Sequence, residues 1–459
     1  MGEMDEPKAG LTPEQLARDD AAHLIHPLHS PVAHEQFGPV ILRSGRGAVV
    51  TDVEGKEYID GLSSLWNVNC GHGREELAQA AADQMARLAF CSSYAGLANE
   101  PAIRLAKKLS ELAYPRLNAV FFASGGAEAN ESAFKLARSY WKLRGQPSKV
   151  KIIARRFAYH GVTIAAMSAT GMPAYWPLFE PRAPGFLHIA PPYCYHCEFG
   201  KTPGACSLEC ATALEETILR EGPETVAAFI AEPVQGAGGV IVPPDGYFPK
   251  IREICDRYGV LFIADEVITG FGRTGRMFAL EHWGVEPDIM SFAKGVTSAY
   301  LPLGGIVISD EIAGLLRSLP PDQAWMHAYT YSGHPTCCAV GLKNVEIIER
   351  EGLAARAAEM GRRLLAGLQT LASLPAVGEV RGLGLMAAVE LVANRQTHES
   401  YPAAAKVGPR ALKAAADRGV LIRVRGDVLM VAPPLVVTET QLDRLVNVLG
   451  EAVEVATGS

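Results

Sequence analysis

Asn118-Ala-Val-Phe-Phe-Ala-Ser-Gly-Gly-Ala-Glu-Ala-Asn130 reads as an apolar strand, a glycine turn and the opening of a helix that runs on to residue 144. Gly125 and Gly126 let the chain turn sharply and aim backbone amides outward. The helix N-terminus behind them favours an anion, and a phosphate is the natural occupant. Read alone, the same residues also describe an ordinary tight turn. Further apolar runs follow at 150–154, 226–231, 260–264, 288–292 and 305–308, separated by helical patterns such as 247–258. That alternation predicts an α/β fold, a large doubly wound and mostly parallel sheet. Ligand sites in such sheets gather at the carboxyl ends of the strands.

Outside this rhythm the chain reads differently. Residues 11–37 suggest a short helix and an irregular arm, and 40–60 a hairpin turning at Glu54-Gly55-Lys56. Toward the C-terminus a long helix is expected over 346–371, reaching back as far as Pro335. Strands follow at 379–391, 420–424 and 428–432, with helices at 403–418 and 439–455. The expected division is an N-terminal arm and small-domain segment (1–65), a large domain (66–335) and a smaller α+β domain (336–459).

With 43 Lys and Arg against 50 Asp and Glu, the net charge of −7 offers no general attraction to nucleic acid. No basic block or apolar run long enough for a signal peptide or membrane span is visible, so a cytoplasmic location and no membrane partner are expected. Nine cysteines, an odd number in a long chain, argue against a secreted disulfide framework.

Three more segments carry chemistry. Leu261-Phe-Ile-Ala-Asp265-Glu266-Val267 is a buried strand that ends in a carboxylate, able either to cap a turn or to hold a pyridine nitrogen protonated. Asp288-Ile-Met-Ser-Phe-Ala-Lys294-Gly295 ends a strand in a lysine, which is either a surface residue or a buried, nucleophilic amine. Tyr159-His160-Gly161 places an aromatic ring at a strand-to-loop junction, where it could cover a flat ligand.

Together these segments resemble the class III, or omega, aminotransferases of pyridoxal-phosphate (PLP) fold type I, in the branch using amines or omega-amino acids with pyruvate. The resemblance runs from about residue 23 to 434. It includes Asp60-Gly-Leu-Ser-Ser-Leu-Trp66-Asn-Val-Asn-Cys-Gly-His-Gly73, Glu232-Pro-Val-Gln-Gly-Ala-Gly-Gly239, Asp265-Glu-Val-Ile-Thr-Gly-Phe-Gly-Arg-Thr-Gly275 and Thr330-Tyr-Ser-Gly-His-Pro335. It implies PLP held by Lys294 as a Schiff base, Lys294 then shuttling a proton, with Asp265 as the other catalytic residue, paired with the ring nitrogen. Val267 and Tyr159 would flank the ring, Gly125-Gly126-Ala127 would receive the phosphate, and Glu232 would lie beside the cofactor. Thr330 would reach the phosphate of the partner subunit's site, so a homodimer with shared active sites is implied; a tetramer is left open. The reaction implied is ping-pong transfer from a primary amine or omega-amino acid to a keto acid. A decarboxylase or aminomutase of the same fold, or a 2-oxoglutarate-dependent aminotransferase, is the alternative.

Two departures from the family pattern matter. Serine is common in the phosphate turn, where this chain has Gly125 and Ala127. The branch using 2-oxoglutarate usually continues Asp-Glu-Val with glutamine, where this chain has Ile268. For the substrate, Arg423 matches the arginine that related enzymes swing toward a carboxylate. Arg425 lies on the same strand face, and either could be the reader. Trp66, Leu28 and Tyr94 are expected to line the pocket. Leu28 stands where related enzymes acting on aromatic amines can have phenylalanine, which favours aliphatic donors. Finally, Cys194-x2-Cys197-x8-Cys206-x3-Cys210 could close a tetrahedral zinc site or form a loop of reduced, partly buried thiols. The family chemistry needs no metal.

Overall fold

The computed structural model describes residues 11–28, 38–202 and 204–458. Near the N-terminus, β1 (Leu42–Arg46), β2 (Val49–Asp52) and β3 (Glu57–Asp60) form an antiparallel meander. The central sheet uses β4 (Leu117–Ala123), β5 (Lys151–Arg155), β6 (Phe186–Ile189), β7 (Val226–Ala231), β8 (Leu261–Asp265), β9 (Ile289–Phe292) and β10 (Gly304–Ser309). Their order is β4-β10-β9-β8-β7-β5-β6, parallel except for β10, which runs antiparallel to both neighbours. The fold is α/β, a mostly parallel sheet with helices on both faces. β7 and β8 are buried along their whole length, which explains their unbroken apolar sequences: helices cover both faces of the sheet.

Register brings the chemistry-bearing residues to one edge. Asp265 pairs with Ser291, so the end of β8 lies level with the end of β9, and Lys294 follows two residues past Phe292. On the far side of β10, Gly304 pairs with Ala123, which delivers the turn after β4 to the same edge. The helix Gly126–Leu143 then runs back along the sheet, burying Ala129, Ala133, Phe134, Ala137 and Tyr140.

Toward the C-terminus, β11 (Val377–Gly382), β12 (Ala387–Leu391), β14 (Arg423–Arg425) and β15 (Val428–Val431) make an antiparallel sheet, while β13 (Val420–Leu421) pairs parallel with β3. The N-terminal meander thus completes its sheet with a strand from the other end of the chain. Three expectations are corrected here. The helix expected from Pro335 through 371 is two helices, Pro335–Arg350 and Leu353–Thr370, broken at Gly352, whose φ of +60° leaves the helix. The single strand expected over 379–391 is a hairpin. Its turn passes Gly384, where a Cβ would come within 2.4 Å of the Thr274 carbonyl carbon. β6 and the helix Glu209–Glu221 were not anticipated. Among the described residues no helix is long and apolar enough to cross a membrane.

Candidate active site

The carboxyl edge of the central sheet opens into a cavity of about 440 Å³. Gly125, Gly126, Ala127, Tyr159, Glu232, Asp265, Val267 and Lys294 all line it.

Asp265 ends β8 almost wholly buried and is surrounded by donors. Asn130 Nδ2 donates to its Oδ2 at 2.8 Å, His160 Nδ1 lies 2.7 Å from the same oxygen, and the Val267 N–H donates to Oδ1 at 3.1 Å. A buried carboxylate with this many donors is held in one orientation. The motif could not show Asn130 in this role. It lies on the helix after the glycine turn, and only the packing of that helix on the sheet carries it to β8.

Lys294 follows β9 with φ +43°, in the left-handed region that a side chain adopts at a cost of about 1–3 kcal/mol. Its amine enters the cavity. Burial pushes its pKa below the usual lysine range, opposed by the charges of Asp265 and Glu232 and reinforced by Arg423. The result is an amine more often neutral, hence more nucleophilic, than a surface lysine.

Glu232 is also buried. The Tyr159 N–H donates to its Oε1 at 3.0 Å and the Gly236 N–H to its Oε2 at 3.1 Å. Burial nonetheless raises its carboxyl to about 7, with His160 pulling the other way and Asp265 adding to the rise. Burial likewise raises the Tyr159 hydroxyl.

The phosphate cradle has a shape that only glycine permits. A Cβ on Gly126 would stand 2.8 Å from Val267 Cγ1. The helix Gly126–Leu143 begins there with no side-chain cap, so its first amides are free to take an anion. A flat, anionic, aldehyde-bearing cofactor therefore meets free amides at one end, Asp265 at the other and the Lys294 amine beside it.

The remaining expected residues lie elsewhere. Trp66 is 2 % exposed and packs among Leu62, Val234, Ile268 and Met430, so its neighbours Leu65 and Asn67 line the cavity in its place. Leu28 is 64 % exposed and Tyr94 47 % exposed, and neither reaches this cavity. Thr330 is exposed and outside it as well. Arg423 is half-buried on β14, near enough to act electrostatically on both Tyr159 and Lys294. Arg425 stands over the Phe157 ring at 4.8 Å.

Cys194, Cys197, Cys206 and Cys210 line one small cavity of about 30 Å³, but among the described residues no three His, Cys, Asp or Glu side chains converge as metal ligands. Burial pushes the Cys210 thiol up to about 12 and raises Cys194, with the neighbouring cysteines adding to both shifts.

A buried lysine, an anchored aspartate and a glycine-turn phosphate cradle on a mostly parallel sheet define a PLP-dependent enzyme of fold type I. The family model for class-III aminotransferases matches residues 30–453, and the chain belongs to that family. It is an aminotransferase, its cofactor is pyridoxal 5'-phosphate, and its substrates are an amine and a keto acid. A putrescine–pyruvate aminotransferase of Pseudomonas aeruginosa is 42% identical, over 95% of this chain and 94% of its own. A diaminobutyrate–2-oxoglutarate transaminase of Halomonas elongata is 41% identical, over 93% of this chain and 92% of its own. Among solved structures, an (S)-enantioselective omega-transaminase of Thermomicrobium roseum is 50% identical, with a TM-score of 0.93 over 98% of this chain and 99% of that one.

Proposed function

We propose that this enzyme transfers the amino group of a primary amine or omega-amino acid to pyruvate, with Lys294 as the catalytic lysine and Arg423 as the reader of the acceptor carboxylate. The carrying observation is the scarcity of cations at the cavity. Among the described residues Lys294 is the one lysine or arginine lining it, and Arg423 stands beside it with no ion pair to any described residue. A keto acid with one carboxylate matches one free guanidinium, whereas 2-oxoglutarate needs a second partner for its distal carboxylate. Ile268 lines the same wall with an apolar side chain, which favours the small methyl ketone end of pyruvate.

PLP, when bound, supplies the electron sink for bond breaking at the amine carbon. Asp265, anchored by Asn130 and His160, would face the ring nitrogen and favour its protonated form. The glycine turn would hold the phosphate, Val267 and Tyr159 would confine the ring, and Glu232 orients the backbone at Tyr159. Lys294 Nζ would be the group that takes the proton from the amine carbon. Arg423 pairs with the acceptor carboxylate and withdraws for a donor that lacks one.

We also assign a homodimer. Thr330, Tyr94 and Leu28 lie outside this chain's cavity on exposed segments, and Met326 and Tyr331 beside Thr330 are exposed apolar side chains, 87 % and 59 %. A second copy seated there would cover this apolar surface and receive Thr330 at its own phosphate cradle.

The test is a donor screen run with pyruvate and with 2-oxoglutarate. Amino transfer from aliphatic diamines and omega-amino acids is expected with pyruvate and at least about tenfold more slowly with 2-oxoglutarate. Equal rates with both acceptors would break the acceptor assignment. Carbon dioxide release, or turnover without any keto acid, would favour a decarboxylase or aminomutase.

A further inference from the structure

A second cavity, of about 540 Å³, lies at the far end of β14 and shares no lining residue with the first. Phe157, Tyr193, Tyr401, Lys406, Arg425 and Asp427 are part of its wall. The two cavities are two residues apart along both segments that separate them. Tyr159 lines the cofactor cavity and Arg423 lies near enough to act on Lys294, while Phe157 and Arg425 line this one.

Arg425 is the unexplained group. Its guanidinium stands 4.8 Å from the Phe157 ring centroid, its Nε is buried without a hydrogen-bond partner, and no described residue forms an ion pair with it. The acids nearby are already engaged. Glu390 accepts from Arg381 at 2.6 Å, lies 2.6 Å from His196 Nε2 and is bonded by the Tyr193 hydroxyl. Asp427 Oδ1 accepts the Gly408 N–H at 2.9 Å. A guanidinium kept in protein without a counter-charge is costly, and burial lowers its pKa, a sign of that cost. Lys406 adds a second cation on the same wall. It stands at φ +48° just before the helix Val407–Asp417, exposed and without an ion pair to any described residue.

We propose that this cavity is a second carboxylate-binding site, in which Arg425 pairs with a small organic acid against the aromatic wall and Lys406 contributes positive charge. The inference rests on the reading that Arg423, and not Arg425, receives the acceptor carboxylate during catalysis. Planar guanidinium suits a carboxylate through two parallel N–H donors, and the Phe157, Tyr193 and Tyr401 rings suit the carbon skeleton beside it. The acid could be the keto-acid acceptor or a non-reacting acid of similar size.

Calorimetric titration of the holoenzyme with pyruvate and with succinate tests this. Two binding events are expected for at least one of them in the wild type. Arg423→Ala should remove one, and Arg425→Gln should weaken the other at least tenfold while amino transfer to pyruvate continues at near wild-type kcat. Arg425→Lys, which keeps the charge, should recover part of the affinity and so separates lost pairing from a disturbed fold. The tighter of the two acids identifies the source. A single event abolished by Arg423→Ala overturns the second site, and so does a second event that Arg425→Gln leaves unchanged. Inorganic phosphate binding there more tightly than either acid overturns the carboxylate assignment. Loss of transfer in Arg425→Gln with transfer intact in Arg423→Ala would instead show that the acceptor assignment has failed.

Discussion

The carboxyl edge of the central sheet and the short strand β14 hold charged residues in two different ways. At the sheet edge each group sits at the end of a buried strand, and the pairing of Asp265 with Ser291 fixes where Lys294 emerges. On β14 two arginines two residues apart share a strand face, yet one acts on Lys294 and Tyr159 and the other rests on Phe157. Chemistry that must not move is built on strand ends. Arg423, proposed above as the carboxylate reader, stands on an edge strand with no ion pair to any described residue.

The largest expected effect lies at the sheet edge. Lys294→Ala should lower amino transfer by about 10⁴-fold or more, since nucleophile and proton carrier are lost together. Single-turnover measurement with a preformed amine donor checks it, and a residual rate within tenfold of wild type would remove Lys294 from its role. On β14, Arg423→Ala should cost about 1.5–3 kcal/mol in kcat/KM for pyruvate, roughly 10- to 150-fold, by loss of a charge-assisted pair. Donors without a carboxylate should lose far less. Equal losses for both kinds of substrate would erase the contrast between the two regions.

The smallest effect sharpens the comparison through pH. Burial holds the Glu232 carboxyl at about 7 in the folded protein, against an ordinary value of 4.5. Folding therefore favours the protonated acid. That contribution is fully present below about 4.5 and is lost as pH rises through about 7, at most about 3 kcal/mol in all. Thermal unfolding of the cofactor-free enzyme should show Tm falling over this window, and E232Q should flatten the slope. Parallel profiles for both proteins would mean that Glu232 does not hold its proton.

Asp265 and Lys294 each close a short run of apolar residues, and alone each could be structural; only together with the glycine turn and Tyr159 did they resemble a PLP site. The glycine turn was legible in the same way, although the steric need for Gly126 depends on Val267, far along the chain. The motif places Trp66 at the pocket; in the structure it packs among Leu62, Val234, Ile268 and Met430, and Leu65 and Asn67 beside it line the cavity. The helix break at Gly352 and the hairpin turn at Gly384 were hidden by continuous apolar periodicity, which one glycine interrupts without altering composition. The cysteine spacing left zinc and a loop of reduced thiols both open, and the fold gathers all four cysteines around one small cavity.

By itself the sequence determined the α/β rhythm, the strand-end lysine and aspartate, and the glycine turn, because burial period and turn chemistry are local properties. Tertiary structure alone decided that Asn130 and His160 anchor Asp265, that Trp66 is core, and that Arg425 lines a second cavity while Arg423 acts on Lys294. Those outcomes depend on which distant segments pack against each residue, and strand register and helix packing set that, not neighbouring sequence.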